Sequence, residues 1–221
     1  MNRKVLFGMT ALVLAALACQ TLTSGMSQVV GSGHAASETR TVPAFDSVEL
    51  AGSADVNIIL ADSPSVNVEA DDNILPLVET VVNNGKLVIR TKPLTNIVPT
   101  NKIVVTIAMK SLKDLTLSGS GNINVGAMTG PELTVDVSGS GNVTVEGTVD
   151  NLTVDLSGSG NVNANNLKAK SAKVGVSGSG DVKVNVSDTL DASISGSGNI
   201  RYEGNPAQVN KSVTGSGTIN P

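Results

Sequence analysis

The pentapeptide SGSGN at Ser118–Asn122 reads as flexible linker when taken alone. It does not stand alone. SGSGNV opens at Ser138 and again at Ser157, SGSGDV at Ser177, SGSGNI at Ser195, and a frayed TGSGTI at Thr214. The steps between copies are 20, 19, 20, 18 and 19 residues. A linker has no physical reason to keep a period, so the string has to be a corner repeated along an ordered chain.

The flanks say what the corner joins. Upstream, apolar residues alternate at Leu133, Val135, Val137, then Leu152, Val154, Leu156, then Ala172, Val174, Val176. Downstream the alternation resumes at Ile123 and Val125, Val143 and Val145, Val182 and Val184, and Ile200 and Tyr202. Period two with β-branched enrichment predicts half-buried strands. Each repeat is therefore strand, Gly-Ser-Gly corner, strand, and a looser second corner such as EGTVDN or NNLKAK. One repeat cannot fold alone. A handful of inward side chains contribute roughly 1.5–3 kcal/mol each, against about 1–2 kcal/mol of backbone entropy for every residue ordered. Neighbouring repeats must stack and cover one another, as in a solenoid.

The residue after the second corner glycine is Asn122, Asn142, Asn161, Asp181, Asn199 and Thr218, and Asp55 holds the same place in a degenerate corner, AGSADV at 51–56. In a coil these side chains stack at the inter-strand spacing of about 4.8 Å. Asn there can take a left-handed turn while its amide bonds to the one above. The rival is an antiparallel meander with the corners as hairpin tips. Its successive tips lie two strand spacings apart, so no amide ladder forms and nothing asks for Asn each time. The spacing thus predicts an all-β, single-stranded parallel β-helix of 18–20 residues per rung. DNILPLVETVV at 72–82 breaks the alternation with spacing closer to helical, and predicts a short helical N-terminal cap over the exposed first rung. PLTNIVPT at 93–100 is expected to be a loop bulging from a coil. The chain shows little sign of a cap at its other end, and an uncovered β edge invites pairing, so a homo-oligomer through the C-terminal edge is expected.

Only Phe7, Phe45 and Tyr202 are aromatic among the 221 residues, yet 40% are apolar, which is not the composition of a disordered chain. The formal charge is −4, and without Arg3 and Lys4 the remainder carries 13 basic against 19 acidic side chains. An acidic chain without a basic cluster is a poor partner for nucleic acid. Arg3 and Lys4 precede a short apolar run, VLFGMTALVLAAL, and together residues 1–18 read as an export signal. The run ends in AALAC, which resembles a bacterial lipobox with Cys19, the single cysteine, as the lipidated residue; Ala16 stands where Leu is commoner. The expected location is extracytoplasmic, as a cell-envelope lipoprotein held to the membrane by its N-terminal lipid, or secreted if Cys19 is not lipidated. Residues 19–41 are small and polar and are read as a flexible tether, with His34 solvated in it, and 42–221 as the folded domain.

The repeated GSGN and GSGD corners, together with FDSVELAGSADVNIILADSPSVNVEADDNILPLVETVVNNGKLVIR at 45–90, resemble the putative adhesin family called the head GIN domain, formerly a domain of unknown function. The resemblance covers Val42 to Pro221. It implies a right-handed parallel β-helix and a secreted, often lipid-anchored protein of the bacterial envelope. It speaks to the fold far more than to the function, since the adhesin label is itself an inference.

Chemistry on a β-helix lives on its outward positions. Two residues before each corner the column reads Thr116, Asp136, Asp155, Gly175, Ser193 and Ser212. Asp136 and Asp155 are expected one rung apart on one face, where two carboxylates can repel, bind Ca²⁺ or serve as a glycosidase pair. No histidine or arginine joins them in sequence, and aromatic platforms for sugars are missing. Asn124, Thr144, Asn163, Lys183 and Arg201 form a polar strip after the corner. The expected role is therefore non-catalytic and without a cofactor: adhesion to an unknown protein or glycan, or scaffolding. The alternatives are a carbohydrate-active β-helix enzyme and an envelope module that binds another membrane protein.

Overall fold

The computed structural model describes residues 27–221, so the export signal and Cys19 lie outside the described residues. The repeat region is a parallel coil. Strands Asn122–Val137, Asn142–Leu156, Asn161–Val176 and Asp181–Ile194 lie on one another in register, with Asn122 beside Asn142 and Leu133 beside Leu152. Each crosses from one face of the coil to the next. The second corner is a bend within the ladder, marked by register shifts between Val125 and Met128 and between Thr144 and Gly147. Inward columns are closed to solvent: Ile123, Val143, Val162 and Val182 form one, and Leu117, Val137, Leu156 and Val176 another.

The corners stack backbone on backbone. Ser140 donates its N–H to the Gly119 carbonyl at 3.1 Å and Ser159 to that of Gly139 at 3.1 Å. A Cβ on Gly141 would run into the Gly121 carbonyl, and the same holds at each corner resting on another. Small residues are thus dictated by contact with the corner beneath. At Gly52 the nearest atom to an added Cβ is the Arg90 Cα, at an ordinary 3.8 Å. The first corner, AGSA, is thus free at Gly52 of the backbone contact that the later corners make.

The first coils do not follow chain order. Strand Ser47–Leu50 lies between Asp114–Leu117 on one side and Lys86–Thr91 on the other. On the next face Asp55–Leu60 lies between Asn122–Val137 and Val104–Met109. The second coil in sequence is therefore the terminal one in space, and the chain then steps back over the first. Capping is done by antiparallel strands. Ser65–Asp71 pairs with Val104–Met109, and Val78–Asn83 pairs with Lys86–Thr91. The expected helical cap shrinks to a 3₁₀ turn at Leu75–Leu77. The rest of it is a hairpin, because Asn84 and Gly85 take positive φ (51° and 79°), a type I′ turn that closes two strands tightly.

The tether reading is also corrected from residue 27 onward. Ser27–Val30 pairs in parallel with Thr95–Val98, so the expected loop at 93–100 contains a strand. Ala35–Arg40 pairs antiparallel with Ser65–Asp71. Asp71 fastens both. Its buried carboxylate accepts N–H bonds from Gly33 at 3.0 Å and Thr100 at 2.8 Å, and the Asn101 side-chain amide at 2.6 Å. Around it Asn73 donates to the Val30 carbonyl at 2.8 Å and accepts from the Ser32 N–H at 2.9 Å.

The corner packing makes a paired prediction. Gly141→Ala should destabilise the fold by about 1–3 kcal/mol, the usual range for overpacking. Gly126 has nothing within 4 Å of its added Cβ, so Gly126→Ala should be neutral or slightly stabilising. Thermal melts of the two variants check this. Equal losses would show that glycine is needed for chain flexibility and not for stacking.

Candidate functional site

The corner residues form one connected series. Asn122 donates its amide to Asp55 at 2.8 Å, Asn142 to Asn122 at 3.0 Å, and Asn161 to Asn142 at 2.9 Å. Asp181, which has no amide to give, accepts from Asn199 at 2.9 Å and donates its backbone N–H to Asn161 at 3.0 Å. Thr218 closes the series with its hydroxyl on Asn199 at 2.8 Å. Below it, Lys102 lies 3.5 Å from Asp55. These side chains spend their donors and acceptors on one another, which makes the column structural.

The face before the corners carries the ionisable chemistry. Asp136 and Asp155 are register neighbours, with Thr116 beyond Asp136 and Gly175 beyond Asp155. Asp136 is half-buried and Asp155 exposed. Burial, and then the charge of Asp155, push the Asp136 carboxyl above its ordinary value; Lys86 opposes this and Asp114 adds to it. Asp155 leans toward the slot left by Gly175, where an added Cβ would meet its Oδ1 at 2.7 Å. The slot opens a shallow depression of about 280 Å³ beside Asp155, lined by the hydroxyl residues Ser177, Ser193, Ser212 and Thr214. Among the described residues no group of three or more His, Cys, Asp or Glu converges to hold a metal ion. The pair is thus two carboxylates beside a hydroxyl-lined hollow, with Lys86 the nearest cation acting on it.

Asp71 shows the opposite electrostatics. Its burial pushes the carboxyl upward, but the N–H donors of Asn101, Thr100 and Gly33 outweigh this and hold it below the ordinary carboxylate value. Sequence reading passes over it. The glycines of Gly31-Ser32-Gly33 were the available signal, since an added Cβ at Gly31 would strike this carboxylate. A second hollow, about 590 Å³, lies where Thr39–Phe45 passes over Pro64–Val66 and Met109–Ser111.

The face after the corners is a long polar line. Thr39, Asn67, Thr106, Asn57, Asn124, Thr144, Asn163, Lys183, Arg201 and Asn220 are successive register partners. The expected strip thus extends past its sequence-read members into the N-terminal strands.

The comparisons agree with this architecture. The family model described as "Putative auto-transporter adhesin, head GIN domain" matches residues 44–206, and the chain belongs to that family. A structure described as a putative adhesin from Bacteroides fragilis superposes with a TM-score of 0.74 at 22% identity, over 87% of this chain and 99% of the other. A putative lipid binding protein from Parabacteroides distasonis gives a TM-score of 0.59 at 27% identity, over 88% and 99%. A putative adhesin from Parabacteroides merdae gives 0.59 at 25% identity, over 87% and 98%. No curated protein matches the chain.

The two aspartates predict opposite pH behaviour. A raised folded pKa favours the protonated form, so Asp136 weakens the fold at neutral pH and the penalty disappears below the ordinary value of 3.8. Asp136→Asn should raise the melting temperature at pH 7, by less than about 1 kcal/mol of stability for a site only half-buried, and the gain should vanish near pH 3. A lowered folded pKa does the reverse: Asp71 stabilises above its unfolded value and that contribution is lost as pH falls. Asp71→Asn should therefore lower the melting temperature at pH 7, by less as pH falls. Melts across pH 3–7 decide both. Repeating them with millimolar Ca²⁺ tests the carboxylate pair: a rise in the parent protein that Asp136→Asn lacks would assign the pair to a cation.

Proposed function

We propose that this member of the head GIN domain family is a non-catalytic protein of the cell envelope, acting through the outer faces of its coil as an adhesin or structural scaffold. The observation that carries this reading is the polar line of ten register partners, about 43 Å long at the inter-strand spacing. A straight, shallow row of amides, hydroxyls and two cations near one end suits an extended protein or glycan surface better than a small molecule. In this reading the lipid on Cys19 holds the chain to the membrane, and an unlipidated Cys19 would make it a secreted protein. The paired Asp136 and Asp155 beside the hydroxyl-lined hollow favour a second reading, a carbohydrate-active enzyme. Cleavage of a polysaccharide that Asp136→Asn or Asp155→Asn abolishes would establish it.

Protease shaving of intact cells, followed by peptide mass spectrometry of residues 42–221, tests the surface role. Peptides released from unbroken cells are expected. Peptides seen only after lysis, with a known surface protein cleaved in parallel, would rule out an exposed adhesin and turn the search to partners inside the envelope.

The C-terminal edge bears on self-association. Lys211 occupies an inward column, as the register partner of buried Ala192. Its Nζ sits 4.6 Å from the Tyr202 ring centroid and donates to the Ile219 carbonyl at 3.3 Å. A charge held over the open core resists the addition of another coil. We propose that this edge is a stop, against the expectation of an oligomer built through it. Light scattering should find the parent protein monomeric and Lys211→Val more prone to associate. A parent dimer that Lys211→Val leaves unchanged would reverse the assignment.

A further inference from the structure

Six large apolar side chains are exposed among the described residues, and three of them, Val30, Leu94 and Val98, belong to one small ribbon. Ser27–Val30 and Thr95–Val98 form this two-stranded sheet by themselves. Val29 and Ile97 pack against the core, so the residues that follow them in the chain, Val30 and Val98, point away from it, 60% and 42% exposed. Leu94, just before the second strand, is 76% exposed and sits at φ 60°. A branched residue with positive φ is strained, and here no burial of its side chain compensates.

The segment that carries the second ribbon strand is basic in sequence, although Arg90, Lys102 and Lys113 pair with Glu79, Asp55 and Asp46. From Lys86 to Lys113 the chain carries Lys86, Arg90, Lys92, Lys102, Lys110 and Lys113 and no acidic residue, although the whole chain is net negative. Lys92 and Lys102 flank the ribbon strand; Lys102 is 84% exposed and lies 3.5 Å from Asp55, while Asp71 and Asp72 sit at the Ser32–Gly33 end of the ribbon. An anionic, partly apolar surface would be attracted to the two lysines.

The ribbon also lies next to the anchor in sequence. Ser27 follows Cys19 by eight residues, a covalent reach of about 28 Å at full extension. A group confined so close to a bilayer meets it at high effective concentration, so individually weak contacts suffice.

We propose that the ribbon bearing Val30, Leu94 and Val98, with Lys92 and Lys102 beside it, rests on the anionic lipid surface of the membrane to which the chain is tethered. Leu94 enters the interfacial region and the lysines meet lipid phosphates. The coil then stands with its antiparallel-capped end on the membrane and its Lys211 end away from it. The proposal rests on the anchored reading of Cys19, and the experiment separates the two.

The chain has no tryptophan and a single cysteine, so both probe and tether can be placed without background. The full chain, made without export so that Cys19 keeps its thiol, is coupled through it to a maleimide phospholipid in phosphatidylethanolamine–phosphatidylglycerol vesicles. Leu94→Trp reports at the ribbon and Val213→Trp at the far end. Quenching by brominated lipid should be at least threefold stronger for Leu94→Trp, and adding Lys92→Glu should reduce it by half or more. Equal quenching at both sites, or none at either, overturns the proposal. The anchored reading is judged apart from this, by the intact mass of the exported protein: an unmodified Cys19 there refutes lipidation whatever the vesicles show.

Discussion

Backbone resting on backbone at the corners sets every other dimension of this protein. Where Gly141 sits on Gly121 and Gly160 on Gly141 there is no room for a Cβ, and the close approach fixes how far one coil can stand from the next. At that spacing the inward Val, Ile and Leu columns close without gaps, and Asn side chains one rung apart come within amide hydrogen-bond distance, 2.9–3.0 Å between Asn122, Asn142 and Asn161. The ladder is thus a consequence of the corner as well as a support for it. The freedom of the first corner follows from the same cause, since Gly52 rests over Arg90 backbone with room to spare.

How much of this the sequence discloses depends on the range of the interaction. Strands and corners are local: period-two alternation and a Gly-Ser-Gly break specify them residue by residue, and stacking identical units settles the coil. The placement of the first coils is not local. Nothing in Ser47–Leu60 or Lys86–Met109 taken alone says that the later segment lies at the end of the coil and the earlier one inside it; that is decided by which surfaces remain to be covered. The hairpin over that end was legible, since Asn84-Gly85 is a strong turn signal, but the apolar spacing at Ile74–Val82 imitates a helix. Ser27–Arg40 looks like a tether because edge strands need little apolar content when a buried carboxylate organises them. Asp71 gives no sign of that role beside Asp72.

Asp71 and Asp136 show why burial alone does not decide what a carboxylate does. Asp71 is fully enclosed and yet its charge is favoured, because three backbone N–H groups and an amide converge on it. Asp136 is more open and yet its charge is disfavoured, because partial burial, and then the carboxylate on the next rung, act on it with no donor directed at it to compensate. A regular solenoid makes the second situation easy to reach. Any outward residue that recurs at the repeat period is placed beside its own kind, so a like-charged pair arises unless the column varies. Here it varies at once: Thr116 precedes the pair and Gly175 follows it, which gives Asp155 a slot to lean into.

The two ends solve the edge problem by different means. At one end the chain spends two antiparallel pairings, a buried aspartate and the docking of its own N-terminal strands to cover the exposed coil. At the other it uses a single lysine turned inward over Tyr202. Strand addition requires unpaired backbone groups at a clear edge, and an ammonium that pairing would desolvate opposes it, whereas the opposite end is covered by whole strands, Ala35–Arg40, Ser65–Asp71 and Val78–Asn83. Between the two the coil can lengthen or shorten by whole repeats without altering either end, which leaves the length of the polar line as the property free to vary.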